Sequence, residues 1–215
     1  MKICYIDEDG RFGGPQQRML LVAKALTNKK NVKIKFFLPK NDTKDFQQKL
    51  LKYKFDFQTL RLTRLSLEFN IILKYIFFFL YEIIILCLSI KKEKFDIIQI
   101  NSTSQFKGVI SAFIVGKPSI WVIEDTNFNF IIKKIFLLLA KISKSKIIYT
   151  SKSVDKYYGI TKQFKKKDSI EIFAPVDLNE FNNKVKFRKY NYFNDKIVIT
   201  SISGVIPIKG AIEFV

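Results

Sequence analysis

Lys2-Ile3-Cys4-Tyr5-Ile6 followed by Asp7-Glu8-Asp9-Gly10-Arg11-Phe12-Gly13-Gly14-Pro15 is the stretch on which the fold turns. Ile3 to Ile6 is an unbroken apolar run. It reads as a strand covered on both faces, since such a strand needs no polar alternation. A polar loop ends in two glycines, and Pro15 suits the first position of a helix, where a missing N–H satisfies nothing. Beyond it Met19, Val22, Ala23 and Leu26 fall at i, i+3, i+4 and i+7, one apolar helical face.

The same alternation repeats outward. Strands are expected at 32–38, 57–60, 95–100, 119–123, 146–150 and 170–173, with helices at 44–52, 71–90, 106–115 and 130–142. Alternating strands and helices imply an α/β fold, a Rossmann-like parallel sheet with helices on both faces. Such sheets bind ligands beyond the carboxyl ends of their strands, which singles out the loops at 7–14, 101–105 and 124–129. After Pro175 the chain turns polar and lysine-rich through Asn194. A new strand, Lys196-Ile197-Val198-Ile199-Thr200, then begins a second Rossmann-like domain that the 215 residues do not complete.

Composition removes several chemistries. The chain has no histidine, so a Ser-His-Asp or Cys-His pair, a His-bearing zinc site and an imidazole base are excluded. Cys4 and Cys87 stand alone in apolar runs, which supports neither a disulfide framework nor a metal site and points to a reducing, cytoplasmic setting. With 38 basic against 19 acidic residues the net charge is +19. Nucleic acid, an anionic membrane surface, or lysine-rich usage spread over solvated faces would each account for it. No tract interleaves basic and aromatic residues, and Lys165-Lys166-Lys167 is too short, so nucleic acid is set aside. The first apolar run is too short for a secretory signal. Ile71 to Ile90 is long enough to span a bilayer, but it contains Lys74 and Glu82 and leads through Lys91-Lys92-Glu93-Lys94 into a strand. A long helix packed on the sheet is preferred over a transmembrane span, with contact to lipid left open.

Three loop features carry candidate chemistry. Gly13-Gly14 before a helix is either an anion seat, with backbone N–H groups at the positive helix end, or a turn needing positive φ. It is not GxGxxG. Three consecutive acids, Asp7-Glu8-Asp9, cannot converge on one ion without a special turn and read as a solvated loop. Glu124-Asp125 sits where a strand meets the crevice mouth, either as a functional pair or as ion-pair partners of a lysine.

Together these segments resemble the family 4, GT-B-fold glycosyltransferases. The opening strand, Gly13-Gly14-Pro15-Gln16-Gln17-Arg18 and Leu21-Val22-Ala23-Lys24-Ala25-Leu26 are similar to that family's first strand, Gly-Gly loop and "LAxAL" helix. Phe95-Asp96-Ile97-Ile98-Gln99-Ile100-Asn101 is similar to "pDvvhvn". Gly116-Lys117-Pro118 with Ile120-Trp121-Val122-Ile123-Glu124-Asp125-Thr126 is similar to "GkPvvwhihDt". Ile148-Tyr149-Thr150-Ser151 resembles "vvvS", Ala174-Pro175-Val176-Asp177 with Phe181 resembles "nGVDxxxF", and the run from Ile202 to Lys209-Gly210 resembles "vGxlxpxKG".

The resemblance implies a retaining transferase moving a sugar from a UDP- or GDP-linked donor to a glycan or lipid-linked acceptor, in cell-surface polysaccharide or glycoconjugate synthesis. It implies no tightly bound cofactor and no metal. Residues 1–174 would be the acceptor-side domain, 175–195 the linker, and 196–215 the first strand-loop-helix of the donor-binding domain. Glu124 stands at the place of a family histidine near the sugar and becomes the catalytic candidate. Gly13, Gly14 and Lys209 would serve the donor phosphates, and Gln16, Asn101 and Asp125 are crevice candidates. Gln99 replaces a second frequent histidine, and Ser203-Gly204 replaces a Gly-Arg pair. The family's later E-x7-E segment has no counterpart in 215 residues, and two such domains need about 150–200 residues each, so an amino-terminal fragment inactive by itself is expected. The rival expectation is a non-catalytic basic relative that docks on membranes or partners. For the transferase, the cytoplasmic face of the membrane is the expected place of work.

Overall fold

The computed structural model describes residues 1–178 apart from residues 29, 30 and 67. All but the first four residues of the expected linker, the strand at 196–200 and Lys209 therefore lie outside the described residues. The chain divides after Val176, and the unit Met1–Val176 holds every element below.

Seven parallel strands form one sheet in the order β3-β2-β1-β4-β5-β6-β7. They are β1 (Lys2–Ile6), β2 (Lys33–Pro39), β3 (Asp56–Leu60), β4 (Ile97–Asn101), β5 (Ser119–Ile123), β6 (Lys146–Tyr149) and β7 (Ser169–Glu171). The helices are α1 (Gly14–Thr27), α2 (Lys44–Lys52), α3 (Phe69–Glu93), α4 (Phe106–Ile114), α5 (Phe130–Ile142), α6 (Lys152–Tyr158) and α7 (Ile160–Gln163). Register follows from the apolar runs: Ile3 pairs with Ile34 on one side of β1 and with Ile97 on the other.

Alternate residues of each strand serve different faces, and the core splits accordingly. Ile3, Tyr5 and Phe36 meet Met19 and Leu20 of α1 and Phe46 of α2. Cys4, Ile6 and Phe37 face the other way, toward Leu86 and Ile90 of α3, Val109 of α4 and Phe136 of α5. Both faces are thus covered, as continuous apolar strands require. On α1 the buried set is Gln16, Arg18, Met19, Leu20 and Ala23; Val22 and Leu26 are only partly covered, so the buried face is turned relative to the expected stripe. Pro15 is the second helical residue, after Gly14. Helices α6 and α7 did not declare themselves by apolar period. Their signals are local: the Ser151 hydroxyl accepts from the Val154 N–H at 3.3 Å, and Gly159 ends α6 with φ +67°.

Helix α3 is long and apolar enough to cross a membrane by length and composition. It buries Tyr75, Glu82, Ile83, Leu86 and Ile90 on its inner side. Its other side presents Leu73, Phe77, Leu80, Ile84 and Leu88 to solvent, Phe77 at 80% exposure. Packing on the sheet is therefore one-sided. The acid inside the apolar run has a specific partner: fully buried Lys107 of α4 lies 2.5 Å from Glu82 and 3.2 Å from Glu8. Thr63 donates to Glu82 from its N–H at 2.9 Å and its hydroxyl at 2.7 Å, so both carboxylate oxygens are bonded. Lys107 also donates to the Thr63 carbonyl at 2.5 Å.

Candidate functional site

Strand order reverses between β1, whose chain next goes to β2, and β4, which leads on to β5. At such a switch point the two following loops diverge and leave a crevice beyond the strand ends. Here it measures about 220 Å³. The loop after β1 contributes Asp7, Glu8 and Asp9, α1 contributes Gln16, and the end of β4 contributes Asn101, Ser102 and Gln105. Arg64 and Asp125 also line it.

The acidic trio is not a solvated loop. Asp7 and Glu8 are only 1% and 2% exposed. Gly10 explains the path: a Cβ there would stand 2.2 Å from Thr43 Cγ2 and 2.8 Å from the Asn41 carbonyl, so the loop is pressed against the chain beyond β2. Asp7 receives three N–H donors, from Gln16 Nε2 at 2.7 Å, Gln105 Nε2 at 2.8 Å and the Asp9 backbone at 3.0 Å. Burial nonetheless dominates and pushes its carboxyl up to about 7, against those bonds. Burial also raises Glu8, to about 6, with Lys107 opposing. Asp9 stays below the ordinary value: burial pushes it up, and its bidentate pair with Arg11, at 2.9 and 2.5 Å, outweighs that.

Helix α1 starts beside this cluster. Gly13 is its N-cap with extended backbone, φ −145°, so neither it nor Gly14 is a positive-φ turn. The Gln16 side-chain oxygen accepts the Gly13 N–H at 3.1 Å while its amide holds Asp7 and the Asp9 carbonyl. Of the helix-start donors, those of Gly14 and Gln16 have no intrahelical acceptor. A Cβ on Gly14 would meet nothing within 4 Å, so there is open space on that side of the residue.

The candidates separate by place. Gln16, Asn101 and Asp125 line the crevice; Gly13, Gly14 and Glu124 do not. Glu124 directly follows β5, its carboxylate 3.3 Å from the Arg18 guanidinium, an ion pair made with an arginine of α1 rather than a lysine. Its pKa is raised by burial, with Arg18 working in the opposite direction. Burial likewise raises Asp125, against the Asn127 N–H. Asn101 is buried and accepts from Gln99 at 3.3 Å. Gln105 and Arg18 are the residues that sequence reasoning missed, and Asp7 is the one it read as solvated. Asp7 alone carried a signal, as the first residue past β1. A larger cleft of about 600 Å³ lies at the amino end of β6, among Lys144, Lys146, Lys165 and Lys167, remote from the switch point.

No protein-family model and no curated protein matches the sequence. Solved structures do. A glycosyltransferase from Rickettsia africae is similar at 15% identity and TM-score 0.59, over 84% of this chain and 45% of that one. UDP-GlcNAc 2-epimerase from Neisseria meningitidis, bound to UDP-GlcNAc, is similar at 13% identity and TM-score 0.56, over 80% and 46%. MurG of Acinetobacter baumannii is similar at 12% identity and TM-score 0.53, over 71% and 42%. The chain thus spans less than half the length of these structures. What it shares with them is the fold, the Rossmann-like α/β layer of GT-B proteins.

Proposed function

We propose that this chain is the acceptor-side part of a family 4, retaining glycosyltransferase that takes its sugar from a nucleotide-sugar. One observation carries the reading: at the switch point a polar crevice, the open start of α1 and the Arg18-held Glu124 lie together on adjoining elements. Retaining transfer passes through an oxocarbenium-like state while negative charge develops on a leaving diphosphate. The N–H groups of Gly14 and Gln16, at the positive end of α1, are proposed to meet that charge. Lys209 is proposed to add an ammonium. Glu124 is proposed to meet the sugar, with Arg18 fixing its orientation, and Gln16, Asn101 and Asp125 to receive the acceptor's hydroxyls. The acceptor is a glycan or a lipid-linked saccharide, and no bound cofactor or metal is called for.

The exposed apolar stripe of α3 and the +19 charge support peripheral docking on the anionic, cytoplasmic face of a membrane, with α3 lying in the interface rather than crossing it. The test of the transfer reading is donor-dependent release of UDP or GDP by protein carrying both domains, in the presence of lipid extract. Glu124→Gln is expected to lower kcat at least tenfold with little change in Tm. A variant that melts earlier but turns over normally would make Glu124 a structural partner of Arg18. Absence of release from any donor, with vesicle binding intact, would favour the non-catalytic docking role.

A further inference from the structure

The cleft at the amino end of β6 has two walls. One is the end of α5, where Lys144 takes the left-handed conformation (φ +53°) and the Ser145 N–H donates to the Ala140 carbonyl at 3.1 Å. The other is the turn between α7 and β7, where the Asp168 N–H donates to the Lys165 carbonyl at 2.8 Å. Lys141 and Lys144 line the cleft from the first wall and Lys165 and Lys167 from the second, and Lys146 joins them from the start of β6. Lys141 Nζ reaches from α5 to Gln163 Oε1 of α7 at 2.9 Å.

Asp168 is the one acid among the lining residues, against five lysines. The whole chain carries 38 basic to 19 acidic residues, so even scatter would repeat a two-to-one ratio here, not five to one. The negative end of the α5 dipole accounts for Lys141 and Lys144, but not for Lys165 and Lys167. Asp168 is already engaged. Its bond from Lys146, with the fields of Lys167 and Lys165 added, holds its carboxyl below the ordinary value. Lys144, Lys165 and Lys167 are exposed, and among the described residues no ion pair engages them.

A volume of about 600 Å³ takes a compact ligand rather than an extended chain. Phosphate groups concentrate negative charge in little space, and lysine binds them as a point charge. We propose that this cleft is a binding site for clustered phosphate groups, separate from the switch-point crevice and independent of the transfer reading. Such groups are offered by a soluble polyphosphate or by the head groups of anionic lipids. A nucleotide-sugar is the poorer ligand, because esters at both ends of its diphosphate leave it fewer charges.

Calorimetry of the full chain with inorganic tripolyphosphate is the test. Binding is expected, about tenfold or more tighter than that of orthophosphate, and weaker as salt rises from about 0.05 to 0.2 M. Lys144→Gln, Lys165→Gln and Lys167→Gln together should weaken it by about tenfold or more. Lys91→Gln, Lys92→Gln and Lys94→Gln remove the same charge at the end of α3, off the cleft, and should cost less than about threefold. Equal loss in the two triple variants, equal affinity for orthophosphate, or equal affinity for hexaglutamate would overturn the proposal, since net charge alone would then be read. Vesicles of phosphatidylglycerol in phosphatidylcholine identify the source of the phosphates. Weaker sedimentation of the cleft variant than of the α3 variant assigns the cleft to lipid head groups, and equal sedimentation assigns it to the soluble anion.

Discussion

Asp7 holds three N–H donors on a carboxyl that burial pushes up to about 7, so near neutral pH it is shared between two protonation states. In the unfolded chain the same group titrates near its ordinary value of about 3.9. Its contribution to stability is therefore complete below that value and is lost as pH rises through about 7. Asp7→Asn removes the titration. Its amide must face N–H groups that donate to Asp7 in the native protein, so the variant is less stable at low pH while its pH profile is flatter. Between pH 5 and pH 8, urea unfolding should show the native protein losing on the order of 2–4 kcal/mol more than the variant. Parallel pH profiles would mean that Asp7 does not carry the proton. Nothing in Asp7-Glu8-Asp9 itself announces this burial, because acidic loops are usually solvated. The cause lies in residues far along the chain: Thr43 and Asn41 crowding Gly10, and Gln105 reaching across from the start of α4.

At the scale of elements, α3 and α4 are clasped by charge as well as by packing. Lys107 is fully buried between Glu82 and Glu8, and its ammonium also lies 4.2 Å from the centre of the Tyr75 ring. Removing the cation leaves two buried carboxylates facing each other, which is the costly half of a broken buried ion pair. Lys107→Met is expected to lose about 3–5 kcal/mol at pH 8 and clearly less at pH 5, where Glu8, already raised by burial and no longer opposed by Lys107, can take up a proton. Adding Glu82→Gln should restore part of the loss. Chemical denaturation of the single and double variants at both pH values measures this, and a pH-independent loss would show that lost packing, not charge, is responsible. The helices themselves were legible from apolar period and length. The one-sided burial of α3 was not, because a run apolar all round does not say which side faces α4. Glu82 counted in the sequence only against a membrane span; its place on the buried side is explained by Lys107, which the sequence does not bring to it.

For the whole molecule, the parallel sheet and its two-sided core follow from the repeated alternation of apolar strands and helices, and every expected strand and helix within the described residues is present, whereas the strand order is set by long-range pairing. The site was legible only as a set of loops; which side chains enter the crevice depends on long-range contacts such as Gln105 to Asp7 and Arg18 to Glu124. The surface makes a prediction of its own. With net charge +19 and an exposed apolar α3, co-sedimentation with anionic vesicles should fall several-fold as salt rises from about 0.01 to 0.15 M, the range over which the Debye length shrinks from ~30 to ~8 Å. Binding indifferent to salt, or equal on neutral vesicles, would remove charge as the driver. The central claim is that the donor and acceptor meet at the switch point between β1 and β4. Amide NMR of the chain titrated with UDP- and GDP-sugars tests it most directly. The account predicts weak, millimolar binding, with shifts confined to residues 7–16, 101–105 and 124–128. Shifts gathered instead on the lysine-lined cleft around Lys144 and Lys165, at the other end of the sheet, would contradict it.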